Sequence, residues 1–361
     1  MLEGAPFVRG KKEQEKYIEF KSRGSITLKS ADRPDNLLGA GLGFAVLDEA
    51  AVMAPFVWMD VISPMLMDAP DGGGAMLIST PRGVGNYFYN LYQLGQNDAH
   101  GEWASWRLPT ASNPFINPEY IETQRRLMVS HKFRQEIMAE FLASSGGAFN
   151  NVENVLTLDI LSSPADYFEN FVLDTESGLS VPVDYVMGVD WGRYKDKTVI
   201  SVFEKESGAQ VYLEQFTDIN YEYQKTRVAN LIDIWGPTRA YIESNSMGGP
   251  QSESLRHDLG PVIHPVFMTN PTKIKLVENF ALNIERERIH LLKADSEIGI
   301  AQAAQLSSFA LHRTAGGTSI TYRAPTGQPD DIVIADILAN KDIRIRGKHK
   351  YFGAVPNPFY R

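Results

Sequence analysis

The sequence contains no cysteine among its 361 residues. This absence excludes disulfide bonds, zinc sites built on thiolates and cysteine nucleophiles. No apolar run approaches the roughly 18 residues that a membrane helix needs, and Met1 begins no basic and apolar signal peptide. The net charge of −9 argues against a protein that coats nucleic acid over its whole surface, but it permits a local acidic cluster or a local basic strip.

A phosphate-binding loop is also missing. No stretch has the pattern GxxxxGK[ST], in which backbone N–H groups and a lysine hold the phosphates of a nucleotide. The glycine-rich stretch DGGGA at 71–75 lacks the Lys-Ser or Lys-Thr pair and predicts a turn. The seven histidines lie in no recognisable nucleophile context, so a Ser-His-Asp triad is not indicated.

The composition that is present, 43% hydrophobic and 22% charged, is that of an ordinary globular protein with room for two domains. In the first half, SITLKSA (25–31), GLGFAVLDEAA (41–51) and AMLISTPRG (75–83) predict strands, and 118–142 predicts one helix. A Ser-, Gly- and Asn-rich connection at 143–154 places a domain boundary near 150, with a linker at 151–183.

The second half has a different order of predicted strands and helices. Strands are predicted at 186–189, 198–204 and 210–216, with a hairpin turn at Gly208 between the last two. A helix at 221–235, a strand at 239–245, further helices, the strand SITYRA and the helix DDIVIADILANKDI follow. This order predicts an α/β domain at 184–345 in which a mixed sheet is flanked by helices. Residues 346–361 form a basic and aromatic tail.

Acidic residues stand at the ends of three predicted elements of this second domain. Asp190 ends an apolar strand, Glu243 ends the strand AYIES, and Asp330 and Asp331 stand where a loop enters the last helix. Like charges at one sheet edge raise each other's pKa, and divalent cations relieve that cost. Ligands with oxygen atoms alone select Mg²⁺ or Mn²⁺, and two such ions about 4 Å apart would clamp a phosphodiester.

Each acidic residue also has a simpler interpretation. Asp190 alone could cap a turn, Asp330 or Asp331 could be the N-cap of a helix, and Glu243 could pair with an arginine. Asp196 is a possible fourth acidic ligand, or a solvated residue of RYKDK. The combination of three separated acids in this order is more specific than any single member.

These stretches carry a resemblance to a known family. GVDWG, YIESN and PDDIVIADILA resemble the three acidic motifs of the ribonuclease H-like nuclease domain of phage terminase large subunits. KSADRPDNLLGAGLGFAVLDEAA is similar to the segment that leads into the Walker B strand of that family, and LISTPRG resembles its ATPase-coupling motif. The resemblance therefore implies part of a P-loop ATPase domain at 1–150, followed by a ribonuclease H-like nuclease domain.

Residue roles follow from the resemblance alone. It implies that Asp48 holds Mg²⁺ on ATP, that Glu49 orients the hydrolytic water, and that Ser79 and Thr80 couple hydrolysis to movement. It also implies that Asp190, Glu243 and Asp331 bind the two nuclease metal ions, with Asp330 as the alternative to Asp331. Because the Walker A loop is absent from these residues, we expect ATP as a cofactor only if a missing N-terminal part supplies that loop. A split gene, a prophage remnant, an internal start or a truncation would each explain its absence.

Basic residues supply candidate contacts to DNA. Arg193, Lys195 and Lys197 lie close to Asp190 in the sequence, and the tail adds Arg344, Arg346 and Lys348 among aromatic residues. Phosphate contact would make the affinity sensitive to salt. A solvated tail that docks on the partners of a motor is the alternative.

The family resemblance implies a viral packaging protein that cleaves concatemeric double-stranded DNA in the cytoplasm of a bacterial host. Its expected partners are double-stranded DNA, a portal protein, a small terminase subunit and further copies of itself on the portal, with no membrane and no secretion. Two alternatives stay open from the residues: a Holliday-junction resolvase-like or transposase-like nuclease, and a catalytically inert component of the motor.

Overall fold

The computed structural model of the protein describes residues 5–39, 41–69, 72–142, 147–159, 171–173, 180–192, 197–217, 220–245, 248–313 and 320–343. These residues form two compact units. The first unit consists mainly of residues up to Arg107, and the second contains most residues from Leu108 onward. Because this division follows contacts alone, the functional boundaries suggested at 150, 183 and 345 stay predictions. Within the described ranges, no helix is both long and apolar enough to cross a membrane.

The first unit contains an antiparallel sheet, a parallel strand pair and short helices. The sheet consists of β1 (Val8–Lys12), β2 (Tyr17–Phe20) and β3 (Ser25–Thr27), and the pair of β4 (Phe44–Asp48) and β5 (Gly74–Ile78). A π-helical stretch, Val57–Ile62, leads into α1 (Ser63–Met67), and α2 (Tyr87–Asn97) follows. The three predicted strands of this half are confirmed, with shorter bounds than the sequence patterns.

The prediction of a single helix at 118–142 is wrong. The structure has two helices there, α3 (Pro118–Leu127) and α4 (Ser130–Glu136). Val129 between them is extended and buried in the core of the second unit. The backbone N–H and hydroxyl of Ser130 donate to Glu285 Oε2 at 2.9 and 2.8 Å. A residue distant in sequence therefore binds the first residue of the second helix.

A five-stranded mixed sheet forms the centre of the second unit. The remaining elements are β6 (Leu156–Leu158), β7 (Phe171–Leu173), β8 (Ser180–Pro182), β9 (Tyr185–Asp190), β10 (Thr198–Glu204), β11 (Gln210–Phe216), α5 (Tyr221–Trp235), β12 (Arg239–Glu243), α6 (Gly248–Leu259), β13 (Ile263–Val266), α7 (Asn270–Glu285), β14 (Leu291–Leu292), α8 (Glu297–Ser308), β15 (Ala310–Arg313), β16 (Ile320–Arg323) and α9 (Asp331–Ala339). The sheet order is β11-β10-β9-β12-β13, antiparallel across β11, β10 and β9 and parallel across β9, β12 and β13. The predicted mixed sheet is confirmed.

Helices cover both faces of this sheet because its strands are apolar on both sides. Met187 and Ile242 belong to a core with α5 residues such as Leu231, whereas Val186 and Tyr241 belong to a core with α7 and α9. Helix α9 lies directly on β9 at Gly188, where an added Cβ would be 2.1 Å from Ala335 O. Glycine is therefore required at this position for the helix and the strand to approach each other.

Candidate functional site

Two neighbouring parallel strands end in acidic residues. Strand β9 pairs with β12 in the register Val189 with Ile242, so the next residues, Asp190 and Glu243, stand side by side at the carboxyl ends of the strands. The ends of parallel strands at one sheet edge are a common place for functional side chains. The structure therefore brings together the first two predicted acidic ligands.

The Asp190 carboxyl is buried among other acids, and only 8% of the residue is exposed. Burial raises its pKa well above the ordinary range. A hydrogen bond with Glu243 and the negative charges of Glu243, Asp331 and Asp330 raise the pKa further, in that order. The three other predicted acidic residues of the second unit thus act electrostatically on Asp190. The interpretation of Asp190 as a simple turn cap does not account for these neighbours.

The start of α9 supplies the other two acids. Asp330 occupies the N-cap position of α9 but makes no side-chain cap hydrogen bond. Its Oδ2 atom lies instead 3.5 Å from Lys273 Nζ on α7, and the Ile332 N–H at the helix start donates to Gln305 Oε1 on α8 at 2.9 Å. Asp330 thus stands at the N-cap position, but a glutamine from another helix, and not the Asp330 side chain, accepts from an N–H of the first turn.

The turn after Asp190 is closed by a side chain from the next strand. The Gly192 N–H donates to Thr198 Oγ1 at 2.9 Å, which fixes the chain that follows β9. Lys197 is half-buried next to Thr198. Arg193, Lys195 and Asp196 lie outside the described residues, as do the tail residues Arg344, Arg346 and Lys348. Their predicted contacts stay predictions.

The acidic residues of the second unit suit a divalent cation by their chemistry. Among the described residues, no group of three or more Asp, Glu, His or Cys side chains is arranged to hold a metal ion. Asp190 and Glu243 instead share a hydrogen bond, and burial together with the neighbouring acids favours the protonated form of Asp190 by raising its pKa. A divalent cation in place of that proton would neutralise the same charges, and oxygen ligands favour Mg²⁺ or Mn²⁺.

The first unit brings its predicted site residues together at the ends of β4 and β5. These strands are parallel and pair Asp48 with Ile78, so Asp48 and Ser79 follow the same edge. Glu49 has a left-handed backbone with φ 54°, and its Oε2 atom accepts from the Ser79 hydroxyl at 3.4 Å. Its N–H donates to Asp48 Oδ1 at 3.0 Å. Thr80 follows Ser79 and is half-buried.

Two contacts at these sites could not be predicted from sequence spacing. Lys273 lies 57 residues before Asp330, and Gln305 lies 27 residues before Ile332. No local motif marks either residue, because each meets its partner only after two helices pack together. To identify Lys273 and Gln305 from the sequence, one would need to know which helix faces lie next to each other.

The chain is similar in sequence and in fold to known proteins. No protein-family model matches the chain. The terminase large subunit of Thermus virus P23-45 is 28% identical over 353 residues, which cover 91% of this chain and 67% of that protein. The terminase large subunit of Escherichia phage T5 is 26% identical over 253 residues, covering 68% of this chain and 55% of that protein. Among solved structures, the large terminase of a thermophilic bacteriophage covers 94% of this chain and 80% of its own, with a TM-score of 0.53 and 13% identity.

The second unit has a mixed sheet with helices on both faces, and a solved large terminase structure shares the fold of this chain. The sequence matches extend along nearly all of the chain. The chain is thus a homologue of terminase large subunits, as the acidic motifs suggested. It spans about two thirds of the P23-45 relative and just over half of the T5 relative.

Proposed function

We propose that the second unit is a metal-dependent endonuclease that cleaves concatemeric double-stranded DNA during viral genome packaging. The observation that supports this most strongly is the buried Asp190 carboxyl beside Glu243, Asp331 and Asp330. A protein keeps such mutually repelling groups together at a cost in stability, and that cost has a purpose when the groups hold cations. Homology to terminase large subunits favours this nuclease over a resolvase or a transposase.

We assign the metal ligands as Asp190, Glu243 and Asp331. The negative charge of Asp331 raises the pKa of Asp190 more than the charge of Asp330 does. Asp330 has its own counter-ion, because Lys273 Nζ lies 3.5 Å away. Two bound Mg²⁺ or Mn²⁺ ions would supply the charge that activates water and stabilises the leaving oxygen. The three carboxylates would hold these ions at the ends of β9 and β12 and at the start of α9, and Lys197 is the proposed phosphate contact among the described residues.

The first unit is proposed as the ATPase side of the motor. Glu49, Ser79 and Asp48 lie together at the ends of parallel strands, as Walker B and coupling residues would. ATP hydrolysis additionally requires a phosphate-binding loop, which these 361 residues do not contain. We propose a portal protein, a small terminase subunit and further copies of the chain as partners of the assembled motor. An inert motor component is the alternative that a cleavage assay would reveal.

The experiment compares two identical changes at the two ends of one strand. Asp190→Asn removes the proposed metal ligand at the end of β9, and Asp184→Asn removes a carboxylate just before β9 that binds Lys205 at 2.8 Å. Supercoiled plasmid is incubated with each protein in Mn²⁺, in Mg²⁺ and in EDTA. We expect cleavage with either ion by wild type and Asp184→Asn, and a loss of at least about 100-fold in Asp190→Asn. Inactive wild type would sink the nuclease proposal, and an active Asp190→Asn would sink the ligand assignment.

A further inference from the structure

A second buried carboxyl in the second unit has neither a cation nor an acid beside it among the described residues. Asp336 on α9 is fully buried. Its Oδ1 atom accepts from the Ser201 hydroxyl at 2.7 Å and from Gln210 Nε2 at 2.9 Å. Its Oδ2 atom accepts from Gln302 Nε2 at 2.7 Å. Three neutral donors therefore serve a single side chain.

These donors come from three different elements. Ser201 lies on β10, Gln210 on β11 and Gln302 on α8. The donors are also joined to one another, because Gln302 Nε2 donates to Gln210 Oε1 and Gln210 Nε2 donates to Ser201 Oγ, both at 3.0 Å. The groups that face Asp336 are therefore neutral, and no charged described residue contributes to its pKa. One side chain thus ties α9 to two strands and a helix.

Buried apolar side chains such as Val333 and Ile337 pack α9 into the core, and polar contacts add to that packing. Opposite β9 the helix presents the small residues Ala335 and Ala339 to Gly188, a contact that lacks interlocking side chains. At the helix start, Asp330 provides no cap, and Gln305 on α8 accepts from Ile332 N–H instead. Polar contacts from α8, at Gln302 and Gln305, add directional hydrogen bonds to this packing. A helix rises about 1.5 Å per residue, so Asp336 lies about 7.5 Å along the axis from Asp331.

We propose that Asp336 is a positioning residue, which with Gln302 and Gln305 fixes α9 along the sheet and thereby holds the Asp331 carboxylate beside Asp190. The function of the residues so placed rests on the proposed nuclease. Asp336 itself touches none of the proposed metal ligands in the described contacts. A displacement of about 1 Å at a reacting centre can cost 100-fold in rate, so an anchor one and a half turns away matters for metal binding.

The network requires an acceptor at both carboxyl oxygens. Asp336→Asn keeps the shape of the side chain but replaces one acceptor with an NH₂ group, which would face a donor on at least one side. Gln302 Oε1 is buried without a hydrogen-bond partner among the described residues, so Gln302 could rotate to accept from the new donor. That rotation would break the bond from Gln302 to Gln210. The substitution therefore disturbs the anchor without emptying the core.

Hydrogen exchange of the full chain tests the anchor without relying on nuclease activity. The readouts are the amides of Ile332, which donates to Gln305, and Ile334, which donates to Asp330 O at 3.0 Å. We expect at least tenfold lower protection of these amides in Asp336→Asn than in wild type. The matched control is Asp342→Asn, which removes the contacts from Arg239 and Tyr241 just beyond the other end of α9. We expect the control to leave both amides unchanged.

A second measurement titrates Mn²⁺ alone into each protein by calorimetry. Mn²⁺ should bind about tenfold more weakly to Asp336→Asn than to wild type or Asp342→Asn, at equal folded fraction by circular dichroism. A purely structural role would lower the melting temperature and leave both readouts of the folded protein unchanged, and that result would overturn the proposal. If Asp336→Asn does not fold, Gln302→Met removes one donor while keeping the bulk, and the same two outcomes decide.

The two proposals fail separately in these measurements. If the wild-type protein neither binds Mn²⁺ nor cleaves DNA, the proposed nuclease function is wrong. The exchange of Ile332 and Ile334 in Asp336→Asn still decides whether α9 is positioned by this network.

Discussion

Asp190 and Asp336 are both buried carboxyls of the second unit, but their neighbours differ in kind. Asp190 faces Glu243 and Asp331, which repel its negative charge. Asp336 faces Ser201, Gln210 and Gln302, which donate hydrogen bonds to it. Repulsion between acids is relieved by a cation, whereas a shell of neutral donors satisfies a carboxylate in place. Two aspartates of one domain therefore have opposite electrostatic surroundings.

The first prediction is that the acidic cluster of the proposed metal site lowers the stability of the metal-free protein. Asp190→Asn removes one acid and leaves an amide that donates to Glu243, so the metal-free variant should be about 1–2 kcal/mol more stable than wild type. Urea denaturation in EDTA at pH 8 measures this difference. Saturating Mn²⁺ at 100 times its Kd should then raise the stability of wild type by about 2.7 kcal/mol and that of the variant much less. A variant that is less stable in EDTA would contradict this account of the cluster.

The second prediction concerns pH. Burial raises the pKa of Asp336 to about 7, while the same group in an unfolded chain has a pKa of about 3.9. Between these values the folded state binds the proton and the unfolded state does not. The contribution of Asp336 to stability is therefore full below about pH 4 and is lost as the pH rises toward 7, by up to about 4 kcal/mol.

Asp336→Asn cannot ionise and should lack this loss. Guanidinium unfolding of wild type and variant at pH 4.5, 6 and 8 gives the difference in unfolding free energy at each pH. We expect that difference to move in favour of the variant as the pH rises. A difference that stays constant over this range would show that Asp336 does not titrate there.

At the scale of elements, local patterns identified the central strands and missed the breaks. The apolar runs of β9, β10 and β11 and the helix α5 were predictable because burial and periodicity are local properties of the sequence. The split between α3 and α4 was not, because the first residue of α4, Ser130, binds Glu285 of a helix distant in sequence. Asp190 and Glu243 were predictable as strand ends, whereas Lys273 and Gln305 meet the site only through helix packing.

The third prediction tests the close approach of α9 and β9. Gly188→Ala would place a Cβ 2.1 Å from Ala335 O and 2.5 Å from Ala339 N. Both are backbone atoms of α9, so no side-chain rotation can relieve these contacts. The helix must move away from the strand, at a cost of about 1–3 kcal/mol or more. Gly10→Ala in β1 is the control, because its Cβ would meet nothing within 4 Å.

Thermal melts and plasmid cleavage check this prediction together. Gly188→Ala should lower the melting temperature and weaken cleavage, since α9 carries Asp331, while Gly10→Ala should change neither by much. Equal melting temperatures for wild type and Gly188→Ala would show that α9 does not rest on this glycine.

At the scale of the whole molecule, the two units differ in how well their sheets are covered. The mixed sheet of the second unit has buried side chains on both faces. The parallel pair β4 and β5 of the first unit buries one face and exposes apolar side chains on the other, with Val46 at 61% and Met76 at 49% exposure. Parallel sheets are normally covered on both faces, so this surface favours association.

The last prediction follows from this uncovered face. Val46 and Met76 are directly paired across β4 and β5, and Phe44 and Ile78 extend the same exposed surface. Replacing the central pair by Val46→Thr and Met76→Gln should reduce concentration-dependent self-association, measured by sedimentation velocity, while changing unfolding free energy little. In contrast, Val202→Thr places the same hydroxyl in the fully buried strand β10 and should cost about 1–3 kcal/mol without affecting association. Unchanged self-association in the double variant would show that another surface joins the molecules.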